Sequence, residues 1–145
     1  NALVAHIGVG IMILGITCSS IFQTEHNETF YVNETKNIGK YSLTLKNVNS
    51  FQQNNYQELV ATFFISKKNS PPNVINPSKR YYDVAKIITT EAAIYNDWLQ
   101  DFYIILVNEK DNKWNLKIYE NPLVSFIWLG AILMVFSGLL GIRNK

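Results

Sequence analysis

Two long apolar stretches frame a polar middle section in this chain of 145 residues. Residues 2–22 contain one basic side chain, His6, and residues 123–142 contain no ionisable side chain. Each stretch has about the 20 residues that an α-helix needs to cross a hydrocarbon core of roughly 30 Å. The pattern therefore predicts two transmembrane helices around one extramembrane domain.

The middle section alternates between apolar and polar positions with the period of a β-strand more often than with that of a helix. This alternation predicts strands at Thr29–Val32, Tyr41–Val48, Tyr56–Ser66, Tyr82–Ile88, Phe102–Asn108 and Trp114–Tyr119. Turn signals separate them at Ile38-Gly39-Lys40, Asn69-Ser70-Pro71-Pro72 and Lys110-Asp111-Asn112-Lys113. We expect Thr90–Ala93 to be a single helical turn or a bulge. Short strands at this spacing indicate a small antiparallel β-sandwich or open barrel.

The predicted fold class is an integral membrane α+β protein with four consecutive parts. These are a helix over residues 2–22, a β-rich domain over 23–121, a helix over 122–142 with Pro122 in its first turn, and a basic end over 143–145. Arg143 and Lys145 place that end on the cytoplasmic or matrix side, since basic residues beside a membrane helix favour it. The β-rich domain is then extracytoplasmic. We expect the chain to be the back portion of a longer protein, or a split-gene product.

Charge and cysteine content exclude several function classes. The net charge of +2 is too small to favour nucleic acid, and the basic residues are scattered. Cys18 is the only cysteine, so the chain holds no internal disulfide, no Cys-x-x-Cys redox pair and no attachment motif for a c-type haem. His26 is the only histidine of the middle domain, which leaves no Ser/His/Asp set away from the membrane. We expect this domain to dock partners rather than to perform bond chemistry.

Helical spacing sorts the first apolar stretch into three faces. The first face is bulky and predicted to face lipid, and consists of Leu3, Ile7, Ile11, Leu14, Cys18 and Ile21. The second face is made largely of small residues, Ala5, Gly8, Met12, Gly15 and Ser19. The third face consists of Ala2, His6, Gly10, Ile13 and Thr17. Small residues let helix backbones approach closely, so the second face predicts a contact between helices. In the second apolar stretch, Gly130, Ser137, Gly138 and Gly141 predict another close-packing face.

His6 is the main candidate for chemistry, because an ionisable side chain inside a membrane segment is costly and usually functional. Three interpretations stay open from the residues alone: a hydrogen bond to a neighbouring helix, ligation of haem iron by a neutral imidazole, or proton handling. Gly10, one turn away, removes bulk from the surface that a flat macrocycle would cover. In the middle domain, Arg80 is the only arginine, and we expect it to anchor a loop or a partner carboxylate.

Several short motifs resemble the C-terminal end of CcmF, the membrane haem lyase family of the multi-component (system I) cytochrome c maturation machinery. They are Ala5-His6-Ile7-Gly8-Val9 with Gly15-Ile16, Glu25 followed by Gly39-Lys40-Tyr41, Lys79-Arg80-Tyr81-Tyr82, Thr90-Glu91-Ala92-Ala93-Ile94, Asp101-Phe102-Tyr103, and Tyr119 and Pro122 with Ile127-Trp128-Leu129-Gly130. Their order and spacing cover nearly the whole chain.

The resemblance implies that His6 is one axial ligand of a membrane haem b, with Gly10 and Thr17 on the same helix face. It also implies that the second ligand and the haem-attachment site lie outside this chain. The implied partners are the remaining helices of the same lyase, subunits that deliver haem and handle apocytochrome, and apocytochrome c. The implied location is the bacterial inner membrane with a periplasmic middle domain, or alternatively the mitochondrial inner membrane. A second hypothesis is a non-catalytic membrane adaptor whose β domain binds a partner protein.

Overall fold

The structure is a computed structural model that describes residues 2–67 and 70–143, with the side chain of Arg143 left out. Asn69 of the expected turn and Lys145 of the basic end therefore lie outside the described residues. The side chain of Arg143, the other basic residue of that end, lies outside them too.

Two helices form from the two apolar stretches. Helix α1 spans Ala2–Ile21, and helix α2 spans Val124–Arg143. Both are long and apolar enough to cross a membrane, with mean hydropathies of 2.0 and 2.1. Helix α2 starts after the expected first-turn proline, because Pro122 is the last residue of a strand and Leu123 has a left-handed backbone with φ of 58°.

Within the described residues, ten strands lie between the helices and form two sheets. They are β1 Thr24–Phe30, β2 Thr35–Ile38, β3 Tyr41–Gln52, β4 Tyr56–Lys67, β5 Asn73–Ile75, β6 Ser78–Tyr82, β7 Ile87–Glu91, β8 Ala93–Asp97, β9 Gln100–Lys110 and β10 Lys113–Pro122. One sheet has the order β1-β10-β9-β8. The other has the order β2-β3-β4-β6-β7, with β5 paired to β4. The predicted fold class is confirmed: two apolar helices flank an antiparallel β-sandwich.

The core follows from strict alternation in the longest strands. Leu43 and Leu45 on β3, Phe63 on β4, Ile104 on β9 and Leu116 on β10 are at most 2% exposed. Successive side chains of a strand point to opposite faces, so each strand contributes every second residue to the interior. Burial of one such side chain stabilises the fold by about 1.5–3 kcal/mol before packing terms are counted.

The expected strand at Tyr82–Ile88 is wrong. The chain turns between β6 and β7 over residues 83–86, and Lys86 has a left-handed backbone with φ of 54°. Thr90–Ala93 is neither a helical turn nor a bulge, since β7 ends at Glu91 and β8 begins at Ala93. The turn at Lys110–Lys113 is confirmed, with Asp111 and Asn112 both at positive φ as in a tight hairpin.

The chain divides into two compact units. The helical unit contains residues 1–24, 96–102 and 119–145, and the β unit contains residues 25–95 and 103–118. The helical unit therefore includes the turn between β8 and β9 as well as both helices.

Candidate functional site

Helices α1 and α2 pack through the predicted face of small residues. Gly8 and Gly15 are the buried residues of α1. A Cβ added at Gly8 would lie 2.8 Å from the carbonyl oxygen of Gly130, and one added at Gly15 would lie 2.8 Å from the backbone nitrogen of Ile127. The two backbones approach so closely that only glycine fits at these positions, which confirms the predicted helix contact.

The close-packing face predicted on α2 is half right. Gly130 and Ser137 are buried, whereas a Cβ at Gly138 or Gly141 would have no described atom within 4 Å. Gly138 directly follows Ser137, and consecutive helix residues point in different directions. Gly141 lies seven residues beyond Met134, the α2 residue whose side chain and backbone a Cβ at Gly8 would meet.

The third face of α1, which carries His6, takes no part in this contact. Its members, Ala2, His6, Gly10, Ile13 and Thr17, are all exposed. A Cβ added at Gly10 would meet no described atom within 4 Å. The structure thus brings the three sequence-predicted site residues His6, Gly10 and Thr17 onto one face that no described part of the chain covers.

One hydrogen bond fixes the His6 ring. Its Nδ1 atom lies 2.7 Å from the carbonyl oxygen of Ala2, four residues earlier in α1. A carbonyl oxygen only accepts hydrogen bonds, so Nδ1 donates and carries the proton. In a neutral ring the lone pair is then on Nε2, the nitrogen directed away from that bond. Ring orientation by an Nδ1–H bond to a backbone carbonyl is a common arrangement for a histidine that binds a metal.

Residues 2–67 and 70–143 contain no cluster of three or more His, Cys, Asp or Glu side chains arranged to hold a metal ion. His26, the other histidine, lies on β1 and is half-buried. Haem iron already carries most of its ligands, so a single histidine such as His6 is enough to hold it from this face.

Arg80 pairs with two carboxylates of neighbouring strands in its own sheet and does not anchor a loop. Its Nε atom lies 2.9 Å from a carboxylate oxygen of Glu58 on β4, and a terminal guanidinium nitrogen lies 3.2 Å from Glu91 on β7. The Ser78 hydroxyl donates to the same Glu58 oxygen at 2.7 Å. This hydroxyl, and after it Arg80, holds the pKa of Glu58 below its usual range against the opposing effect of burial. The cluster holds three neighbouring strands together.

Sequence reasoning missed Glu58 and Ser78. The register of β4, β6 and β7 places Glu58 opposite Arg80, Arg80 opposite Thr89, and Ser78 opposite Glu91. The sequence contains one indication of this cluster. Two of the motifs that resemble CcmF contain Arg80 and Glu91, which form an ion pair in the fold. The pairing itself depends on the strand register, which the local sequence does not reveal.

Comparison with known proteins gives a consistent result. The family described as the CcmF C-terminal beta-sandwich matches residues 21–122. The cytochrome c-type biogenesis protein CcmF of Haemophilus influenzae is 34% identical, over 95% of this chain and 22% of that protein. The cytochrome c-type biogenesis protein CycK of Bradyrhizobium diazoefficiens is 31% identical, over 100% of this chain and 22% of that protein.

A solved structure named Cytochrome c Heme Lyase CcmF superposes with a TM-score of 0.77 at 19% identity, over 95% of this chain and 23% of that one. At this identity the likeness shows the fold. The chain spans about a fifth of the length of the curated relatives, 22% for the first two. The chain belongs to the CcmF C-terminal beta-sandwich family.

Proposed function

We propose that this chain is the C-terminal part of a membrane haem lyase for c-type cytochrome biogenesis. Its first helix supplies one axial ligand, His6, to a membrane haem b, and its β unit is an external docking domain. The names of the relatives support the process, since they are cytochrome c-type biogenesis proteins. The haem-attachment site belongs to parts of the lyase outside these residues.

The observation that carries the haem assignment is the exposed His6 ring with its Nδ1 bonded to Ala2. An unpaired imidazole nitrogen facing hydrocarbon is costly, and iron ligation removes that cost. Gly10 lies on the same face with open space where a side chain would be. A flat macrocycle held by His6 needs this space. When bound, haem b supplies one-electron transfer at the level of α1.

Thr17 has a different relation to the haem. At about 1.5 Å rise per residue, it lies roughly 16 Å from His6 along the helix. Its hydroxyl therefore lines the far end of the same face and does not reach the iron. The second axial ligand comes from a helix outside this chain, because His6 is the only histidine in either apolar stretch.

The proposed partners and location follow from membership of the family. The exposed His6 face is covered by the remaining helices of the same lyase, and the β unit meets subunits that deliver haem and handle apocytochrome, as well as apocytochrome c. The protein lies in the bacterial inner membrane with the β unit on the periplasmic side, or in the mitochondrial inner membrane in a eukaryotic setting.

The test is the visible spectrum of the chain purified together with its partner helices. The parent complex should show a six-coordinate, low-spin b-type spectrum. His6→Ala should lose the haem or convert it to a five-coordinate, high-spin form, because one of two ligands is gone. The matched control is His26→Ala, which removes the other histidine of the chain and should leave the spectrum unchanged. A low-spin spectrum that survives His6→Ala would refute the assignment.

The adaptor hypothesis rests on a different observation. The β unit exposes several large apolar side chains, among them Val84 at 92% and Ile88 at 62%. Val84 and Ile88 belong to the same β6–β7 hairpin, and exposed apolar side chains grouped in one place often serve as contacts for another protein. The same purification separates the hypotheses, because an adaptor complex would show no b-type haem spectrum in the parent protein.

A further inference from the structure

The turn between β8 and β9 carries two large apolar side chains at its tip. Strand β8 ends at Asp97 and β9 begins at Gln100, so Trp98 and Leu99 occupy the turn itself. Their side chains are 63% and 58% exposed. Turn positions usually hold Gly, Asn, Asp, Ser or Pro, because these residues suit the backbone and are solvated at the surface. A Trp-Leu pair at an exposed tip is therefore unfavourable in water.

A hydrogen bond attaches this tip to the start of the second membrane helix. The backbone nitrogen of Leu123 donates to the carbonyl oxygen of Leu99 at 2.8 Å. Leu123 directly precedes α2, and the turn belongs to the same compact unit as both helices. The tip therefore lies beside the start of α2, the second apolar helix.

The depth of the tip relative to the helices follows from their ends. The Gln23 side chain donates to Asn121 at 2.6 Å, so the end of α1 and the start of α2 lie at the same level. Ile21 and Phe22 at that level are 68% and 65% exposed. Trp98 and Leu99 therefore lie level with the apolar ends of α1 and α2 and not above a polar surface.

Polar groups behind the tip are paired with one another. Asn96 donates to Asp101 across the base of the hairpin, and Gln100 donates to Glu120 on β10. Burial raises the pKa of Asp101, and the Asn96 hydrogen bond only partly opposes this effect. These pairs give Asn96, Gln100 and Asp101 hydrogen-bond partners, so the hairpin has a polar base below its apolar tip.

We propose that the Trp98–Leu99 turn inserts into the boundary between lipid headgroups and acyl chains, as a third membrane contact beside α1 and α2. The indole ring suits this location, because it has an apolar body and one N–H donor. The inference rests on the proposed membrane crossing by the two helices. Its consequence is that the sandwich is held to the bilayer by the β8–β9 hairpin in addition to its two covalent connections.

The experiment measures tryptophan fluorescence of the whole chain in lipid nanodiscs. Trp98, Trp114 and Trp128 are the only tryptophans, and Trp114 is 8% exposed. The emission of Trp98 is obtained as the difference between Trp128→Phe and Trp98→Phe/Trp128→Phe. The emission of Trp128, which lies inside α2, is obtained in the same way from Trp98→Phe and serves as the membrane reference.

Each variant is measured in lipids brominated near the headgroup and in lipids brominated near the chain ends. Trp98 emission should fall at least twofold with bromine near the headgroup and much less with bromine near the chain ends. Quenching of Trp128 without any quenching of Trp98 would overturn the inference and leave the proposed membrane crossing intact. Quenching of neither residue would refute the membrane crossing itself, and the inference with it.

Discussion

Replacing Gly130 with alanine should separate the two membrane helices. The added Cβ would lie 2.5 Å from the carbonyl oxygen of Gly8 and 2.7 Å from both the Cβ and the backbone nitrogen of Met12. Optimal separations between such atoms are roughly 3.5–4.0 Å, so the shortfall is about 1 Å. Two of the three atoms belong to the backbone of α1. The clash is therefore relieved only if the helices move apart.

The cost of this movement can be isolated with a matched variant. Overpacking of a well-packed interior costs typically about 1–3 kcal/mol. Glycine to alanine also favours a helix by about 1 kcal/mol, which would hide part of that cost. Gly10→Ala on α1 has the same helix-propensity gain but meets no described atom within 4 Å. The difference in unfolding free energy between Gly130→Ala and Gly10→Ala therefore reports the overpacking alone.

Thermal unfolding in a mild detergent, followed by helical circular dichroism, measures this difference. For a domain of this size, each kcal/mol shifts Tm by roughly 3 °C. Gly130→Ala should melt roughly 3–9 °C below Gly10→Ala, given the cost of about 1–3 kcal/mol. Equal melting temperatures for the two variants would refute the close packing of α1 on α2.

Three further outcomes are expected. The pKa of Glu58 is lowered in the folded state, so its carboxylate stabilises the fold above the ordinary pKa of 4.5, and this stabilisation is lost as pH falls through the lower folded pKa. Glu58→Gln should therefore reduce the loss of unfolding free energy at acidic pH. An unchanged pH dependence of unfolding in this variant would contradict the argument. A cysteine introduced at exposed Ser70, in a Cys18→Ser background, should react with an impermeant maleimide added from the periplasmic side. Labelling only after membrane rupture would show that the β unit lies on the opposite side. Gly10→Leu should deplete haem from the complex by filling the His6 face, while Gly138→Leu on α2, whose Cβ position is equally open in the described chain, should retain it; equal haem content in both would argue against the His6 face.

The elements that the sequence predicts well are those that local pattern alone determines. An uninterrupted apolar run decides a membrane-type helix, and the strict alternation of Tyr41–Leu45 or of Trp114–Ile118 decides a strand. Strand β5, only three residues long, pairs along one side of β4, and its three residues are too few to show a period. The predicted strand at Tyr82–Ile88 was wrong because strand-favouring aromatic and β-branched residues lie on both sides of the turn and within it. The turn itself depends on the left-handed backbone of Lys86, which these residue types do not indicate.

The candidate site shows the same division. His6 stood out because a lone ionisable side chain in an apolar run is visible in the sequence, and the small face around Gly8 and Gly15 was visible by spacing. The Glu58–Arg80 pair was not visible, since it depends on which strands the fold brings together. The sequence also does not show that the turn at Trp98 and Leu99 lies beside Leu123, at the start of α2. Sequence spacing also treats all glycines alike, which is why Gly138 was assigned to a contact that it does not make.

Ligand replacement at His6 tests the haem assignment most directly. His6→Gly, in the complex with its partner helices, leaves space where the imidazole was, and added imidazole can enter that space and bind the iron. The visible spectrum should be five-coordinate and high-spin without imidazole and return to the low-spin parent form with it. A low-spin spectrum in His6→Gly before any imidazole is added would show that His6 is not a haem ligand.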